Sequence, residues 1–214
     1  MTSRSHWNGE AMPKRVDHEA RRQRIADAVC RLAAREGLEG ASLRRVAAEA
    51  GVSMGQVQHY FTTKDDMLLF AFHTVGDRVE RRLAAAAAEY GGAPSTRDLL
   101  RVLLLALLSS DAEGRAEAPL WIAFLARAVV EPRLAEPFRT GAGSLTAFAA
   151  DRLRAAQEAG EISPSVDAEQ EAGALFALAD GLMLRTLLVP EATADAVATI
   201  DYQLDRIFAG PVTA

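Results

Sequence analysis

Cysteine is nearly absent from this chain of 214 residues, with Cys30 as its single example. One cysteine excludes an internal disulfide and is typical of a reducing compartment such as the cytoplasm. The four histidines, His6, His18, His59 and His73, show no spacing typical of metal ligands. We therefore expect no disulfide, no metal site and no cofactor.

Long hydrophobic runs are also missing. The longest nearly apolar stretch, residues 175–189, contains Asp180 and Arg185, and it is shorter than the roughly 20 residues that a membrane-spanning helix needs. The N-terminus has Arg4 but no apolar run after it. We therefore expect neither a signal peptide nor a membrane-spanning segment.

Negative charge dominates overall, at −5, but the two signs are distributed unevenly. Residues 1–62 carry 10 Lys and Arg against 7 Asp and Glu, whereas residues 63–214 carry 14 against 22. A basic N-terminal segment favours a polyanionic partner, and the acidic remainder would repel one. A contact with nucleic acid is therefore expected only at the N-terminal end.

Apolar residues recur at helical spacing through most of the chain, and strand-like alternation is missing. The sequence predicts an all-α fold of about nine helices, with a three-helix N-terminal head and a larger C-terminal helical domain. We expect a disordered tail over residues 1–16, with translation starting at Met1 or Met12, a head over 17–63 and a second domain over 64–214. The predicted helices span about 17–37, 42–51, 53–61, 64–90, 95–109, 121–130, 132–159, 167–189 and 193–208.

The segment EAGVSMGQVQHYFTTKDDM, residues 49–67, joins two short helical patterns through Gly51. Ser53 with Gln56 is the pattern of a capping box, which starts a helix of about seven residues. Two helices joined by a glycine-containing turn and braced by a preceding helix are typical of the helix-turn-helix that binds DNA. The short third helix is therefore predicted to be a recognition helix.

On a helical wheel, Val57 and Phe61 of this short helix point inward. The residues that face outward are Met54, Gly55, Gln58 and His59. Gln56 and Tyr60 lie on the flank between the two faces. Glutamine can form two hydrogen bonds with adenine, and methionine can contact a thymine methyl. We expect this face to read the major groove, although each residue alone also fits an ordinary solvated surface.

The segment LRRVAAEAGVSMGQVQHYFTTKDDM resembles the DNA-binding segment of the TetR family of repressors. The resemblance rests on the A-x-x-A-G-V-S turn, a short helix ending in His-Tyr-Phe, and Thr, Lys and acidic residues that open a connector helix over 64–90. It is specific over about residues 17–75 and covers the rest only in helix number and length. It implies a homodimer that binds double-stranded operator DNA through its N-terminal helices and is released by a small-molecule effector bound in the C-terminal domain.

Position by position, the resemblance implies two groups of DNA contacts. The residues that resemble backbone-contacting positions are Ser42, Arg44, Ser53, Tyr60 and Lys64, and those that resemble base-facing positions are Met54, Gln56, Gln58 and His59. Gly55 would let the backbone approach a phosphate. Gln58 departs from the family, in which tyrosine is frequent at this position, so Gln58 is expected to read a base instead of contacting a phosphate. Arg44 fits a solvated helix residue equally well.

The helix predicted over residues 167–189 is apolar nearly all round and needs cover on two sides. Its small residues at i, i+4 and i+8 and an apolar stripe on the last helix form a predicted dimer interface of Gly173, Ala177, Gly181, Val197, Ile200, Leu204 and Ile207. The family resemblance implies the same pairing of the last two helices. A helix buried wholly within one subunit is the alternative.

Aromatic and other apolar residues of the C-terminal helices, with a few polar ones among them, are candidates for an effector pocket. They are Phe72, His73, Trp121, Phe124, Arg127, Phe148, Phe176, Asp180 and Met183. Their composition favours an apolar or aromatic effector. Two alternatives stay open, since aromatics at this spacing also fit a simple core and Asp180 with Arg185 fits an ion pair at an interface.

Two other classes of protein, an architectural DNA-binding protein and an enzyme, fit the sequence less well than a ligand-responsive regulator. An architectural DNA-binding protein without an effector would want an Arg-rich arm and wedge residues for the minor groove, whereas the polar recognition face favours the major groove. An enzyme would need a nucleophile with its base, a metal cluster or a phosphate loop, and the sequence contains none of these patterns. The sequence does not distinguish a repressor from an activator, and it identifies neither operator nor effector.

Overall fold

The computed structural model describes residues 13–90, 94–109 and 111–209. Every regular element in these ranges is helical, which confirms the all-α prediction. A short 3₁₀ turn, Pro190–Ala192, precedes the last helix. The α-helices are α1 (Pro13–Gly40), α2 (Leu43–Ala50), α3 (Met54–Tyr60), α4 (Lys64–Ala88), α5 (Thr96–Leu107), α6 (Ala112–Ala128), α7 (Pro132–Glu158), α8 (Ala168–Leu188) and α9 (Thr193–Phe208).

The chain divides into two compact units inside α4, between Thr74 and Val75. The first unit contains α1, α2, α3 and the beginning of α4, and the second contains the rest of α4 with α5 to α9. The boundary predicted between residues 63 and 64 falls at the start of α4. This helix therefore contributes residues to both units.

The ends of the short helices in the first unit follow from local sequence. The side chain of Ser42 caps α2 by accepting the backbone N–H of Arg45, and Gly51 ends the helix at φ 66°. This left-handed conformation is open to glycine and strained for most other residues. Ser53 and Gln56 form the reciprocal capping box at the start of α3. The turn between α2 and α3 is thus determined by Gly51 and by the capping box that follows it.

One apolar core, formed by α5, α7, α8 and α9, lies at the centre of the second unit. Its buried members include Leu100, Leu104, Leu108, Ala149, Leu153, Ala172, Leu175, Ala179, Ile200, Leu204 and Ile207. Burying side chains of this size from water is the main source of stability in a helical domain, at roughly 1.5–3 kcal/mol for each large one. The core uses one face of α8 and one face of α9.

The first helix begins earlier than the sequence predicts. α1 starts at Pro13 rather than Asp17, so residues 13–16 of the predicted disordered tail are helical. Proline is favoured in a first turn because the N–H that it lacks would have no helical partner there. The rest of that tail, residues 1–12 with both candidate start methionines, lies outside the described residues. Helical geometry is interrupted at Gly37, where φ is 71°, as predicted for the end of this helix.

The sixth helix also begins earlier, at Ala112 rather than near Trp121. Asp111 caps it by accepting the backbone N–H of Gly114 at an N···O distance of 2.6 Å. The prediction placed the start too late because Pro119 and the charged first turn hide the apolar pattern. In the described part of the chain, no helix is long and apolar enough to cross a membrane, and no group of three His, Cys, Asp or Glu side chains is arranged to hold a metal ion.

Candidate nucleic-acid interface and associated surfaces

The outer face of α3 presents the side chains that the helical wheel places there. Met54, Gly55, Gln58 and His59 are exposed, Gln56 and Tyr60 are half-buried, and Val57 and Phe61 are buried. A helix of seven residues is not stable alone in water. Because Val57 and Phe61 attach it to the first unit, the exposed side chains of its outer face are open to a partner.

The two glutamines of α3 are in different states. Gln56 Oε1 accepts the backbone N–H of Ser53 at 2.9 Å, so the carbonyl end of this amide belongs to the capping box. Pairing with adenine through two hydrogen bonds uses both ends of the amide, so Gln56 would have to share its carbonyl oxygen between the base and the cap. Gln58 is exposed and forms no side-chain hydrogen bond within the described residues. That both glutamines read bases stays a prediction, and the geometry favours Gln58 over Gln56 for this role.

Two serine hydroxyls at helix starts combine a capping role with an available proton. Ser42 Oγ accepts the N–H of Arg45 at 3.4 Å, and Ser53 Oγ accepts the N–H of Gln56 at 3.2 Å. In both bonds the hydroxyl is only an acceptor, so its own proton can still be donated to an anion. Both serines were predicted to contact the DNA backbone, and their geometry is compatible with that role.

Most arginines near α2 are held by carboxylates of the same unit. Arg31 and Arg35 contact Glu49, each with an N···O distance of 2.7 Å. Hydrogen bonds from Arg35 and then Arg31 lower the pKa of the Glu49 carboxyl to about 2. Arg45 forms a two-pronged ion pair with Glu36. These arginines mainly stabilise the packing of α1 on α2 and are not available as simple phosphate ligands.

Two of the cations predicted to contact the DNA backbone remain open to a polyanion. Arg44 is exposed on α2 and forms no ion pair within the described ranges. Lys64, at the first position of α4, lies 3.7 Å from Glu39, whose side chain is largely exposed. An exposed pair of this kind contributes at most about 1 kcal/mol, so a phosphate could displace Glu39 from Lys64. The positions of both residues agree with the predicted backbone contacts.

Tyr60 contacts a residue that sequence analysis did not select. Its hydroxyl oxygen lies 2.8 Å from Nδ1 of His18 on α1. The rings of His18 and Tyr60 meet edge to face at 5.7 Å, and the His59 ring is 5.4 Å from that of Tyr60. No motif in the sequence links residue 18 to residue 60, since only the packing of α1 beside α3 brings them together.

A second unpredicted contact, a stack of one arginine and two phenylalanines, packs against the C-terminal end of α3. The guanidinium of Arg22 lies 4.3 Å above the ring of Phe70 on α4, and the Phe70 ring is 5.4 Å from that of Phe61. Phe61 ends α3, so this stack of Arg22, Phe70 and Phe61 connects α1 and α4 to the recognition helix. A cation over an aromatic ring contributes about 0.5–2 kcal/mol.

The predicted effector residues are divided between the two units. Phe72 and His73 belong to the first unit, and the other candidates belong to the second. Phe124 is completely buried and Met183 nearly so, which makes them core residues as the structure stands. Phe148 is 41 % exposed, so its ring lies on the surface of α7 and not in the interior.

The remaining effector candidates have intermediate or exposed positions. Trp121 is half-buried and meets the Phe138 ring edge to face at 5.9 Å. Phe176 is partly buried against the core of the second unit, whereas Arg127 is exposed. Partial desolvation raises the pKa of the Asp180 carboxyl on α8, and no ion pair joins Asp180 to Arg185 within the described chain.

A buried ion cluster connects α4 to α6 inside the second unit. The Glu117 side chain is 8 % exposed and accepts hydrogen bonds from Arg78 at 3.1 Å and from Arg82 at 3.0 Å. It is the only buried carboxylate in the described ranges. Sequence analysis missed it, although a lone glutamate in the apolar face of α6 was a usable signal.

The predicted dimer residues of α8 and α9 differ in their exposure to solvent. Gly173, Ala177 and Gly181 are exposed along one face of α8, and that face continues to Leu188, which is 75 % exposed. The prediction that Ile200, Leu204 and Ile207 of the apolar stripe on α9 lie in the dimer interface is wrong, because these side chains are buried in the core of their own chain. Only Val197 of that stripe is partly accessible.

The outer side of α9 presents another set of residues. Ala194 and Ala198 are exposed one turn apart, and Tyr202, one turn further, is 66 % exposed. The helical period therefore turns the large aliphatic residues inward and leaves alanines and a tyrosine outside. We call the exposed residues Gly173, Ala177, Gly181, Leu184, Leu188, Ala194, Ala198 and Tyr202 the open α8–α9 surface.

Two family models match this chain. The model described as bacterial regulatory proteins, tetR family, matches residues 25–70, which contain α2, α3 and the start of α4. The model described as the C-terminal part of BetI-type transcriptional repressors matches residues 96–209, which contain α5 to α9. The two matches together cover both compact units.

Curated relatives and solved structures agree with these models. The chain is 35% identical to the HTH-type transcriptional regulator PksA of Bacillus subtilis, over 84% of each chain. It is 33% identical to BetI of Burkholderia mallei, over 84% of this chain and 88% of that protein. A crystal structure of a transcriptional regulator from Rhodococcus has a TM-score of 0.76 at 34% identity, covering 90% of this chain and 99% of the other. A regulator from Saccharomonospora viridis, solved in complex with choline, has the same fold, with a TM-score of 0.75 at 23% identity and coverage of 87% and 96%.

Proposed function

Because the chain belongs to the TetR family of transcriptional regulators and has a BetI-type C-terminal region, we propose that it is a dimeric repressor released from its operator by a small molecule. In this proposal the operator is a palindrome, and each protomer places α3 in one major groove. The observation that carries the proposal is the outer face of α3, which is polar, exposed and attached to the first unit only by its opposite side.

The proposed division of labour separates base reading from backbone contacts. Gln58 has both ends of its amide available, and Met54 is 37 % exposed at the start of the same helix. Arg44, Lys64 and the hydroxyls of Ser42 and Ser53 would contact phosphates, which fixes orientation without reading sequence. Gly55 has open space around the position of a Cβ, so the backbone of α3 can come close to the DNA.

The proposed dimer forms through the open α8–α9 surface. A Cβ at Gly173 or Gly181 would meet no atom within 4 Å, so the protomer itself does not require glycine there. Glycine inside a helix is less favourable than alanine by about 1 kcal/mol. Close approach of a second copy of α8 explains both glycines, and Leu188 and Tyr202 supply large exposed apolar area beside them.

For the effector we propose a neutral apolar or aromatic molecule held in the second unit near the half-buried Trp121. The relative in complex with choline raises the alternative of a quaternary ammonium ion. Such a cation gains from aromatic faces and from a nearby carboxylate. Glu117, the one buried carboxylate of the described residues, is already paired with Arg78 and Arg82. A neutral ligand is therefore favoured over a cation in this chain.

Release requires that the effector bind the DNA-free conformation more tightly than the DNA-bound one. We propose α4 as the element that transmits the change, because it contributes residues to both units. Thermal-shift screening of apolar metabolites, aromatic antibiotics and choline would identify ligands, and each ligand would then be added to the protein–operator complex. If tight ligands are found and none changes operator affinity, induction by a small molecule is wrong for this protein.

Selection of bound fragments from a random genomic library tests the DNA-binding proposal. We expect enrichment of one palindromic sequence and a steep fall of affinity with salt, because phosphate contacts release counterions. A selection that enriches no palindrome would contradict operator binding by a two-fold dimer.

Gln58→Ala should reduce affinity for the preferred site by about 1–3 kcal/mol and relax the choice of base at one position. The reason is the loss of the one amide on α3 that has both ends available. Fluorescence anisotropy with the enriched site and its single-base variants measures both effects. Arg44→Ala is the matched control, since loss of a phosphate contact should weaken all these duplexes alike. If Gln58→Ala and the wild type have the same base preference, a residue other than Gln58 reads the base.

Lys64→Ala should weaken binding to every duplex about equally and reduce the slope of log affinity against log salt by about one unit. Glu39→Gln should do the reverse and strengthen binding roughly two- to fivefold, because it removes the carboxylate that competes with phosphate for Lys64. Glu161→Gln changes the net charge equally at an exposed position of the second unit and serves as its control. The competition is disproved if Glu39→Gln and Glu161→Gln have the same affinity as the wild type.

A further inference from the structure

His18 and Tyr60 share one hydrogen bond at the edge of the recognition face. The hydroxyl oxygen of Tyr60 and Nδ1 of His18 are 2.8 Å apart. His18 lies on α1, outside the helix-turn-helix, and it is exposed, whereas Tyr60 is half-buried at the end of α3. The contact therefore joins a solvent-accessible imidazole to a residue that is expected to meet the DNA backbone.

The direction of this hydrogen bond depends on the tautomer and on the protonation state of His18, because a neutral ring with its hydrogen on Nε2 accepts at Nδ1, whereas an imidazolium always donates there. In a neutral imidazole whose Nδ1 has no hydrogen, Nδ1 can only accept, so the Tyr60 hydroxyl must donate to it. A tyrosine hydroxyl has a single proton, and a phosphate oxygen can only accept. While Tyr60 donates to neutral His18, it therefore has no proton to give to a DNA phosphate.

Protonation of His18 removes this conflict. Both ring nitrogens of an imidazolium are donors, so Nδ1–H donates to the Tyr60 oxygen and the bond reverses. The tyrosine proton then points outward and can be donated to a phosphate oxygen. The result is a chain in which His18 donates to Tyr60 and Tyr60 donates to phosphate, with the imidazolium charge near the DNA backbone.

We propose that His18 is a positioning residue for operator binding, which makes the Tyr60 hydroxyl proton available to a backbone phosphate by taking up a proton as the complex forms. The proposal rests on the DNA-binding function proposed above. It adds a residue outside the helix-turn-helix to the recognition surface, and it makes operator affinity rise as the pH falls.

The groups around His18 favour this assignment. From α3, His59 and Tyr60 face it, and the ring centroids of His18 and His59 are 6.5 Å apart. On α1 itself, Arg21 and Arg22 follow one turn later, and the Arg22 guanidinium lies over Phe70 of α4. No carboxylate of the described residues forms an ion pair with His18. A DNA phosphate bound at Tyr60 would add a negative charge that favours the protonated imidazole.

The first turn of α4 carries three further charges, which have other partners. Lys64 pairs with Glu39, and Asp66 accepts the backbone N–H of Thr63. Asp65 has an interaction of its own within the protein. Lys64 and Asp66 therefore do not compete with Tyr60 for Nδ1 of His18.

Operator affinity measured between about pH 8 and about pH 5.5, the range in which imidazoles titrate, tests the proposal. His59 is also exposed on α3, so His59→Gln is the background that isolates His18. In this background we expect affinity to increase about fivefold to tenfold as the pH falls, since one additional hydrogen bond to phosphate contributes about this factor. Adding Tyr60→Phe should remove most of this increase and leave only the part due to the imidazolium charge, and His18→Asn in the same background should remove all of it.

These outcomes separate positioning from simpler roles. If Tyr60 contributes only by packing, or His18 only by its charge, the double variant His59→Gln, Tyr60→Phe binds with the same pH dependence as the single variant His59→Gln. That result would overturn the proposal. Calorimetry of the wild type in two buffers with different ionisation enthalpies gives a second measurement that needs no variant. It should detect proton uptake on operator binding near pH 7, and zero uptake would also overturn the proposal. A wild type that binds no operator at any pH would overturn the proposed function itself and this role with it.

Discussion

Replacing Ala177 with glutamate is expected to convert the dimer to monomers and to reduce operator affinity by at least two orders of magnitude. Ala177 is exposed in the protomer and lies between Gly173 and Gly181 on α8, so the substitution should not disturb folding. In the proposed dimer the carboxylate would be buried without a partner, which is unfavourable by several kcal/mol. Loss of the dimer removes the second recognition helix, and each α3 alone reads only half of a palindrome.

Analytical ultracentrifugation at micromolar concentration measures the oligomeric state, and circular dichroism checks that helix content is unchanged. Ala155→Glu is the matched control, because Ala155 is equally exposed but lies on α7. We expect this control to remain a dimer with normal operator affinity. If Ala177→Glu also sediments as a dimer, the interface lies elsewhere on the protomer.

Replacing Glu117 with alanine is expected to reduce the free energy of unfolding by about 3–5 kcal/mol. The substitution leaves the guanidinium groups of Arg78 and Arg82, which are 21% and 19% exposed, without their shared carboxylate. It also removes the contact between α4 and α6 that this carboxylate makes. For a protein of this size the melting temperature should fall by roughly 6–20 °C.

The control for this effect is Glu113→Ala, which removes a carboxylate that also lies near Arg82, at 3.7 Å, but is 79% exposed. We expect a change of about 0–1 kcal/mol, because water screens this pair. Urea denaturation of both variants gives the comparison. A further variant, Glu117→Leu with Arg78→Met and Arg82→Met, should restore most of the stability, since an apolar cluster needs no internal charge balance. If Glu113→Ala and Glu117→Ala reduce the free energy of unfolding by similar amounts, burial of the ion cluster does not increase its contribution to stability.

Local signals in the sequence predicted the first unit well, for a physical reason. The capping box of Ser53 with Gln56 and the left-handed glycine at position 51 each determine backbone geometry within a few residues. Because α3 is short, two buried side chains decide which of its faces is exposed. The helical wheel therefore sufficed to predict the orientation of Gln58.

The second unit was predicted less well because its helices are apolar on more than one face. On α9, apolar periodicity identified Ile200, Leu204 and Ile207 but could not tell burial inside one protomer from burial between two. The pairing of Glu117 with Arg78 and Arg82 and the contact of His18 with Tyr60 depend on helix packing between residues distant in sequence. Single-sequence patterns contain no information about such pairs.

A hydroxyl-radical footprint on the genomic fragment enriched by selection tests most directly whether the paired outer faces of α3 read DNA. We expect two protected segments related by a palindrome, with centres about one helical turn or a multiple of it apart, and loss of this sequence-specific protection in Gln58→Ala. Uniform protection along the fragment, or a single protected segment that Gln58→Ala leaves unchanged, would contradict it.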